Sequence, residues 1–293
     1  MLVPKLGLES AQFGTPNGIN GSGAVSHFEL GKILSIAALS GMDLIDTSHI
    51  YGTALKCLGR YSQLIQKRNF RIVLKIPKID GRINFSAIQK VREAFYQDLK
   101  ALKSDYVSTV MVHAASDLLR PGSDLLFNFL LSVRHMGICD KIGVSVCEPF
   151  EIERITSRYN IDVCSFPMNV FDQRFNRNLL ERLKDGGLEL HARSIFLHGG
   201  LLLMKFKDIP MRIRSLVKFS KFTALKGFKR SPISYPLNYL WQNELIDYGV
   251  IGVDSARQLT DILYVYRGIK IPINFSEFAD NNPDIINPSS WDL

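Results

Sequence analysis

Residues 26–52, SHFELGKILSIAALSGMDLIDTSHIYG, contain one helical pattern followed by one short apolar run. Ser26 and Glu29 have the spacing of a capping box before a helix, and Gly41 stands where such a helix would end. The next run, DLI, is typical of a buried strand, and it stops at Asp46. The stretch therefore predicts a helix and then a buried strand, with polar residues just beyond the strand.

The same alternation continues along the chain. Apolar runs bounded by turn residues predict strands at residues 5–13, 43–46, 71–76, 106–113, 141–146, 163–167, 189–196 and 248–253. Helical periodicity predicts helices at residues 28–40, 54–67, 84–103, 123–136, 149–158, 175–185, 212–225, 234–245 and 255–267.

This order of elements predicts one (β/α)8 TIM barrel, with residues 1–293 as a single domain. An open, doubly wound sheet is the alternative fold. Two features favour the barrel: no GxGxxG motif follows the first strand, and polar residues follow several different strands. In a barrel, those strand ends converge on one pocket.

The composition is that of a globular protein. With 46% hydrophobic and 22% charged residues, the chain can bury a large core and is not expected to be disordered. No apolar run reaches the roughly 20 residues that cross a bilayer, and the start, MLVPKLGLES, lacks the basic-then-apolar layout of a signal peptide. We therefore expect a cytoplasmic protein that has no membrane partner.

The cysteines give no sign of a disulfide framework or a metal site. There are four, and they form no CxxC pair and no metal-ligand spacing with the six histidines. We expect reduced, mostly buried thiols and no bound metal.

The formal net charge is +8, from 36 Lys and Arg against 28 Asp and Glu. Residues 205–230, KFKDIPMRIRSLVKFSKFTALKGFKR, interleave basic and apolar residues and contain a single acid. The spacing of Ile213, Leu216 and Val217 favours a solvated basic face on a packed helix. A phosphate-rich ligand or partner is the alternative, and a polyanion-binding function depends on this stretch alone.

Chemically versatile side chains follow four successive strands. Asp46 and Tyr51 follow the second strand, Lys75 ends the third, His113 ends the fourth and Ser145 ends the fifth. A single histidine or lysine in such a place is usually structural. Their joint occurrence at strand ends is better explained by a catalytic cluster.

The order Asp, Tyr five residues later, Lys and His resembles the tetrad of the aldo/keto reductase family. The resemblance covers almost the whole chain, and it is closest to the bacterial branch often associated with sugar or surface-polysaccharide metabolism. The similar segments are AQFGTPNGIN (11–20), IDTSHIYG (45–52), LKIP (74–77), MVHAA (111–115), IGVSV (142–146), SFPMNVFDQR (165–174), RSIFLHGGLLL (193–203) and VIGVDSARQLTDIL (250–263).

This resemblance implies reduction of a small-molecule aldehyde or ketone, such as a keto sugar, by NAD(P)H. Tyr51 would be the general acid that protonates the developing alkoxide. A phenol with a reference pKa of about 10 needs a nearby cation, which Lys75 would supply while Asp46 holds the ammonium. His113 would orient the carbonyl oxygen.

The resemblance also implies where the cofactor lies. Ser145 and Ser165 would face the nicotinamide carboxamide. The pyrophosphate would lie on Ser194, Leu197, Gly199 and Leu201, and the adenosine end on Ser255, Arg257, Gln258 and Asp261.

Several positions depart from the family pattern. Glu9 and Ser10 replace the usual Gly-Thr of the first strand, Leu55 replaces a Glu after the tyrosine, and Ser165 replaces a Gln that normally holds the carboxamide.

At the adenosine end, Gly252 and Asp254 stand where a basic residue often meets the 2′-phosphate of NADPH, and Arg257 is the nearest cation. An acid there favours a free 2′-hydroxyl. We expect NADPH to be the cofactor, with NADH as the alternative.

Two other functions are compatible with these residues. The chain could keep the fold and the cofactor but serve as a non-catalytic binding or regulatory subunit, or it could bind polyanions through residues 205–230. The leading expectation is an enzyme that does not bind nucleic acid. The substrate and the oligomeric state do not follow from the sequence, since specificity loops vary freely.

Overall fold

The computed structural model describes residues 5–15, 24–197, 199, 201, 233–268 and 272–287. Within these ranges, parallel strands pair in sequence order, and the last pairs with the first to close a barrel. The strands are β1 (Lys5–Glu9), β2 (Leu44–Ser48), β3 (Arg71–Ile76), β4 (Val107–Val112), β5 (Cys139–Ser145), β6 (Val163–Pro167), β7 (Glu189–Arg193) and β8 (Tyr248–Gly252). The predicted (β/α)8 barrel is thereby confirmed.

Helices lie between the strands and cover the outside of the barrel. They are α1 (Ala11–Gly14), α2 (His27–Leu39), α3 (Ala54–Gly59), α4 (Ser62–Lys67), α5 (Phe85–Leu102), α6 (Ser116–Leu119), α7 (Ser123–His135), α8 (Pro149–Thr156), α9 (Arg177–Asp185), α10 (Ser234–Gln242), α11 (Ala256–Arg267) and α12 (Pro283–Ile286). A short 3-10 helix spans Ser276–Phe278.

Helix α5 shows how the sequence specifies an outer helix. Asn84 caps its start by accepting a hydrogen bond from the N–H of Ala87 at 2.9 Å. Every third or fourth side chain is then buried, and the helix ends at Lys103, which takes a left-handed conformation with φ of 54°. The buried apolar residues are Ile88, Val91, Phe95, Leu99 and Leu102.

The inside of the barrel is filled in layers, because paired residues on parallel strands point to the same face. A buried apolar layer contains Leu44, Val73, Met111, Val163, Tyr248 and Val250. Asp46 comes two residues after Leu44 on β2, Lys75 comes two residues after Val73 on β3, and Glu9 is the register partner of Asp46. Because side chains alternate with a period of two along a strand, these three charged side chains lie one layer above the buried apolar layer, at the C-terminal mouth.

Several predicted boundaries are wrong. The first strand ends at Glu9 rather than at residue 13, because the chain turns into α1, and the seventh ends at Arg193 rather than at residue 196. The second strand extends to Ser48, and the predicted helix 54–67 is two helices that meet near Arg60. The predicted helix 212–225 and the basic stretch 205–230 lie outside the described residues.

The capping box predicted for α2 forms only in part. The hydroxyl of Ser26 accepts a hydrogen bond from the N–H of Glu29 at 3.3 Å, as expected. The Glu29 carboxylate instead accepts a hydrogen bond from the N–H of Ala256 at 2.7 Å, at the start of α11. The Glu29 carboxylate, which the capping box would place on its own helix, thus joins α2 to α11, a helix far away in sequence.

Among the helices of the described residues, none is both long and apolar enough to cross a membrane. The described part of the chain also contains no group of three His, Cys, Asp or Glu residues that could hold a metal ion. All four cysteines are free thiols: Cys57, Cys139 and Cys164 are buried, whereas Cys147 is exposed.

Candidate active site

A buried ion pair lies at the centre of the barrel mouth. Lys75 Nζ donates to Asp46 Oδ1 at 2.5 Å, and the two side chains are 2% and 1% exposed. Burial alone would lower the pKa of Lys75, but the negative charges of Asp46 and Glu9 around it outweigh that effect and raise the pKa. Lys75 is therefore a permanent cation at the mouth.

Tyr51 reaches this pair from the loop that follows β2. Its hydroxyl oxygen lies 3.3 Å from Lys75 Nζ. Gly14 makes the loop position possible, since a Cβ on Gly14 would lie 2.0 Å from the carbonyl oxygen of Tyr51. Gly52, with φ of 56°, supplies the left-handed turn directly after the tyrosine.

The pKa of Tyr51 is raised above its ordinary value. Burial is the main cause, the Lys75 ammonium opposes it, and the carboxylates of Glu9 and Asp46 add to it. The phenol therefore holds its proton at neutral pH.

His113 completes the cluster just after β4. Its ring meets the Tyr51 ring edge-on with centroids 6.3 Å apart. Its Nδ1 lies 3.0 Å from Ser48 Oγ. If the Ser48 hydroxyl donates to Nδ1, the ring proton is on Nε2, where it can be donated to a ligand.

Burial, together with the positive charges of Lys75 and Arg193, lowers the pKa of His113 to about 3. We therefore expect its imidazole to show no titration between pH 5 and 8 in nitrogen-15 NMR spectra. Below its unfolded pKa of about 6.5 the unfolded chain binds a proton that the folded chain rejects, so this group makes the folded state less stable as pH falls from about 6.5 to 3. A His113 midpoint near 6.5 in the folded protein would contradict this assignment.

The tyrosine loop is held from outside the barrel by a further pair. His49 Nδ1 lies 2.9 Å from Oδ1 of Asp98, a carboxylate on α5 that is 7% exposed, and the N–H of His49 donates to the carbonyl of Lys75. The loop that carries Tyr51 is thus fastened both to β3 and to an outer helix.

Two residues at the mouth were not predicted as site residues. Glu9, which was noted only as a departure, accepts a hydrogen bond from Tyr51 Oη at 3.1 Å. Arg193, at the end of β7, donates to the carbonyl of Val146 at 3.0 Å. Both residues end strands in the structure, but the sequence predicted that these strands run on to residues 13 and 196, so neither was recognised as a strand-end residue.

The residues expected near the nicotinamide lie side by side. Ser145 and Ser165 are register partners on β5 and β6, and both are buried. Ser165 Oγ is fully buried and has no hydrogen-bond partner in the structure. A buried hydroxyl without a partner is costly, and a ligand carboxamide at this point would satisfy it.

The segment after β7 turns tightly, as a ligand-binding loop would, but its leucine side chains are buried. Ser194, Leu197 and Gly199 all have positive φ, which turns the chain tightly. The side chains of Leu197 and Leu201 are buried in a second apolar cluster with Phe171 and others. Contact with a pyrophosphate would therefore involve the backbone here, and the leucine side chains hold the loop in place.

At the predicted adenosine end, Ser255 is the N-cap of α11 and accepts from the N–H of Gln258 at 3.1 Å. The Gln258 side chain in turn accepts from the N–H of Asp254 at 2.6 Å. Arg257 and Asp261 are exposed on the first turns of the helix. The Ala256 N–H is already bound by the Glu29 carboxylate, so an anion of the protein occupies part of this helix start.

The predicted residues therefore fall into three groups. Asp46, Tyr51, Lys75 and His113 come together in one cluster, and Ser145 and Ser165 lie on neighbouring strands of the same mouth. The loop after β7 and the start of α11 lie beyond the ends of β7 and β8. Leu55, where the family has Glu, packs into the main core with 5% exposure.

Comparison with known proteins gives a consistent picture. The model of the aldo/keto reductase family matches residues 6–272. A search of curated proteins found no match.

Two solved structures resemble the chain. Aldo-keto reductase AKR11C1 from Bacillus halodurans, solved in a holo form, has a TM-score of 0.71 at 16% identity, with coverage of 94% of this chain and 90% of that one. Glycerol dehydrogenase AKR11B4 from Gluconobacter oxydans has a TM-score of 0.65 at 16% identity, with coverage of 92% and 88%. At such low identity the likeness concerns the fold.

Proposed function

Because the chain belongs to the aldo/keto reductase family, we propose that it reduces a small aldehyde or ketone to an alcohol with Tyr51 as the general acid. The protein is an NAD(P)H-dependent oxidoreductase. The observation that carries the assignment of residues is the chain of contacts from Asp46 through Lys75 to Tyr51 at the barrel mouth. A catalytic role explains why a charged pair is buried there at the cost of its hydration.

In this proposal the tetrad residues have separate tasks. The nicotinamide supplies a hydride to the carbonyl carbon when it is bound. Tyr51 donates its proton to the carbonyl oxygen, and the Lys75 ammonium stabilises the negative charge that develops there. His113, neutral because its pKa is low, donates from Nε2 and orients the carbonyl oxygen. Asp46 keeps the ammonium in place.

The residues present fit a nicotinamide at the mouth. Ser165 offers a buried hydroxyl without a partner, and Ser145 lies beside it. We propose that both bind the carboxamide, that the backbone of residues 194–201 binds the pyrophosphate, and that the start of α11 binds the adenosine end. An intact donor cluster favours an enzyme over a non-catalytic subunit, which would have no use for a buried ammonium beside a phenol.

We propose a hydroxylated substrate, such as a keto sugar. The inward-facing residues around the mouth are polar, and they come from seven strands or the residues just after them. Hydroxyl groups next to the carbonyl would be satisfied by such a lining, whereas a purely apolar substrate would leave buried polar groups unpaired. The polar set comprises Glu9, Asp46, Lys75, His113, Ser145, Ser165 and Arg193.

The direct test uses purified protein. Titration with NADPH and with NADH, followed by cofactor fluorescence, measures binding, and a panel of aldehydes, ketones and keto sugars measures turnover with each cofactor. Binding without turnover of any carbonyl would favour the regulatory subunit. Absence of binding to both cofactors would contradict the proposed function.

We propose NADPH as the cofactor, with Arg257 as its 2′-phosphate contact, although the Glu29 and Asp254 carboxylates near the start of α11 count against a phosphate. Replacing Arg257 with Ala should then weaken NADPH binding by about 1–3 kcal/mol and barely change NADH binding, as expected for loss of a charge-assisted hydrogen bond. Fluorescence titration of both cofactors measures the difference.

Arg267→Ala is the matched control for this experiment. Arg267 lies at the other end of the same helix, where it donates to the carbonyl of Ser40 at 2.9 Å. Loss of the same charge there should leave both affinities unchanged. Equal losses for both cofactors in the Arg257 variant, or none, would show that Arg257 does not contact the phosphate.

We further propose that the chain acts as a single catalytic domain in the cytoplasm and works on small molecules rather than on nucleic acid.

A further inference from the structure

A second carboxylate contacts the proposed proton donor. Glu9 ends β1, where its register partners are Asp46 on β2 and Gly252 on β8. Tyr51 Oη donates to Glu9 Oε1 at 3.1 Å and lies 3.3 Å from Lys75 Nζ. The phenol is therefore held between a cation and an acid.

The titratable groups that face Glu9 come from β2, from the loop after it and from β3. Asp46 lies on β2, Tyr51 on the loop after it and Lys75 on β3, while Gly252 on β8 contributes no side chain. One ammonium thus faces two carboxylates. In such surroundings a free phenolate is disfavoured, and burial together with the charge of Glu9 raises the pKa of Tyr51.

A neutral phenol can still transfer protons if it receives one as it gives one away. The geometry required is an acceptor or donor on one side of the hydroxyl and the substrate on the other. Glu9 provides that first side. It is also partly exposed, so it can exchange protons with water, whereas Asp46 is fully buried and held by Lys75.

We infer that Glu9 is the terminal member of a proton relay, in which Tyr51 passes a proton between Glu9 and the substrate. This inference rests on the proposed function and adds a residue to it.

The relay balances in both directions. In reduction, with hydride from reduced nicotinamide added to the carbonyl carbon, the Tyr51 proton goes to the carbonyl oxygen. Glu9, the carboxylate to which Tyr51 donates, takes a proton from water and passes it to Tyr51 Oη, so that it ends as a carboxylate again. In alcohol oxidation each transfer is reversed, with oxidised nicotinamide as the hydride acceptor.

The first test is Glu9→Gln, which keeps an oxygen that can accept the Tyr51 hydrogen bond but cannot carry the proton. Single-turnover reduction of glyceraldehyde should slow by about tenfold to 100-fold, as for loss of a proton-transfer partner. The relay predicts that wild-type reduction slows and glycerol oxidation speeds up as pH rises, and that this pH dependence disappears in the variant. NADPH and NADH affinities should stay within a few fold.

Two variants serve as comparisons. Glu9→Asp retains a carboxyl group and should recover part of the rate and the pH dependence. Glu153→Gln removes one carboxylate from the exposed face of α8, where it pairs with Arg182, and should change neither. If Glu9→Gln keeps both the rate and the pH profile of the wild type, Glu9 has only a structural role and the relay is excluded.

The second test needs no substrate. With 3,5-difluorotyrosine at position 51, fluorine NMR follows ionisation of the phenol, because fluorination lowers its pKa into a measurable range. Glu9→Gln should lower the midpoint by about one pH unit, since it removes a like charge beside the phenolate. An unchanged midpoint would show that Glu9 does not contact Tyr51 in solution and would overturn the relay.

The two tests also separate this inference from the proposed function. If wild-type protein turns over no carbonyl with either cofactor, the proposed function fails and the relay fails with it, whatever the fluorine result. If the wild type is active but Glu9→Gln matches it at every pH, only the relay fails.

Discussion

Replacing Tyr51 with Phe is expected to lower the rate constant for carbonyl reduction by a factor of about 100 or more, while cofactor affinity stays within a few fold. The substitution removes the hydroxyl that lies 3.3 Å from Lys75 Nζ and 3.1 Å from Glu9 Oε1, and it leaves the ring in place. Single-turnover kinetics with NADPH in excess measure the chemical step.

Two controls make this result specific. Tyr61→Phe removes another phenol hydroxyl, which donates to the carbonyl of His27 outside the barrel, and it should leave the rate unchanged. Near-normal reduction by the Tyr51 variant would reassign the acid to His113 or to water. A large loss of cofactor affinity would instead indicate that the hydroxyl positions the nicotinamide.

Replacing Lys75 with Met should destabilise the fold by about 3–5 kcal/mol and abolish most of the reduction activity. The substitution removes one partner of an ion pair whose side chains are 2% and 1% exposed, and the Asp46 carboxylate is left without its compensating charge. Urea unfolding at fixed pH measures the loss, with reduction of the same carbonyl as the activity readout.

The pH dependence of that loss has a definite sign. Burial raises the pKa of Asp46, and replacing Lys75 removes the main charge that opposes that effect. A carboxyl whose folded pKa exceeds its unfolded value contributes stability below the unfolded pKa, and that stability is lost as pH rises through the folded pKa. The deficit of Lys75→Met should therefore be smaller at pH 5 than at pH 8.

The double variant Lys75→Met with Asp46→Asn is the control for charge. It removes both ions, so it should recover a large part of the stability lost in Lys75→Met but none of the activity. If the single variant is as stable as the wild type at pH 8, the ion pair does not carry the buried charge that its geometry indicates.

The sequence was sufficient for the barrel because each outer helix and inner strand has its own local signal. The run RIVLKI forms β3, and Lys75 comes one full strand period after Val73 in the buried apolar layer. The phase of a strand therefore predicts which side chain points into the mouth. The same phase places Asp46 opposite Val73 on the neighbouring strand.

Boundaries were less predictable, since they depend on close approach between distant segments. The first strand looked longer in the sequence because AQF follows ES without a strong turn residue. In the structure, the chain turns at Ser10, whose hydroxyl donates to Thr47 Oγ1 at 2.8 Å and whose N–H donates to the Asp46 carbonyl. The first strand therefore ends because Ser10 is bound by Thr47 on β2, which is 37 residues away in sequence.

The sequence by itself determined the kind of fold and the identity of the four clustered residues, because strand phase and helix periodicity are local properties. Only the tertiary structure decided the partners: Glu9 on the Tyr51 hydroxyl, Ser48 on His113, and the Glu29 carboxylate on the start of α11. The physical reason is that a hydrogen bond depends on ångström distances between atoms on different elements. Those distances are set when the barrel closes, and no spacing along one chain segment encodes them.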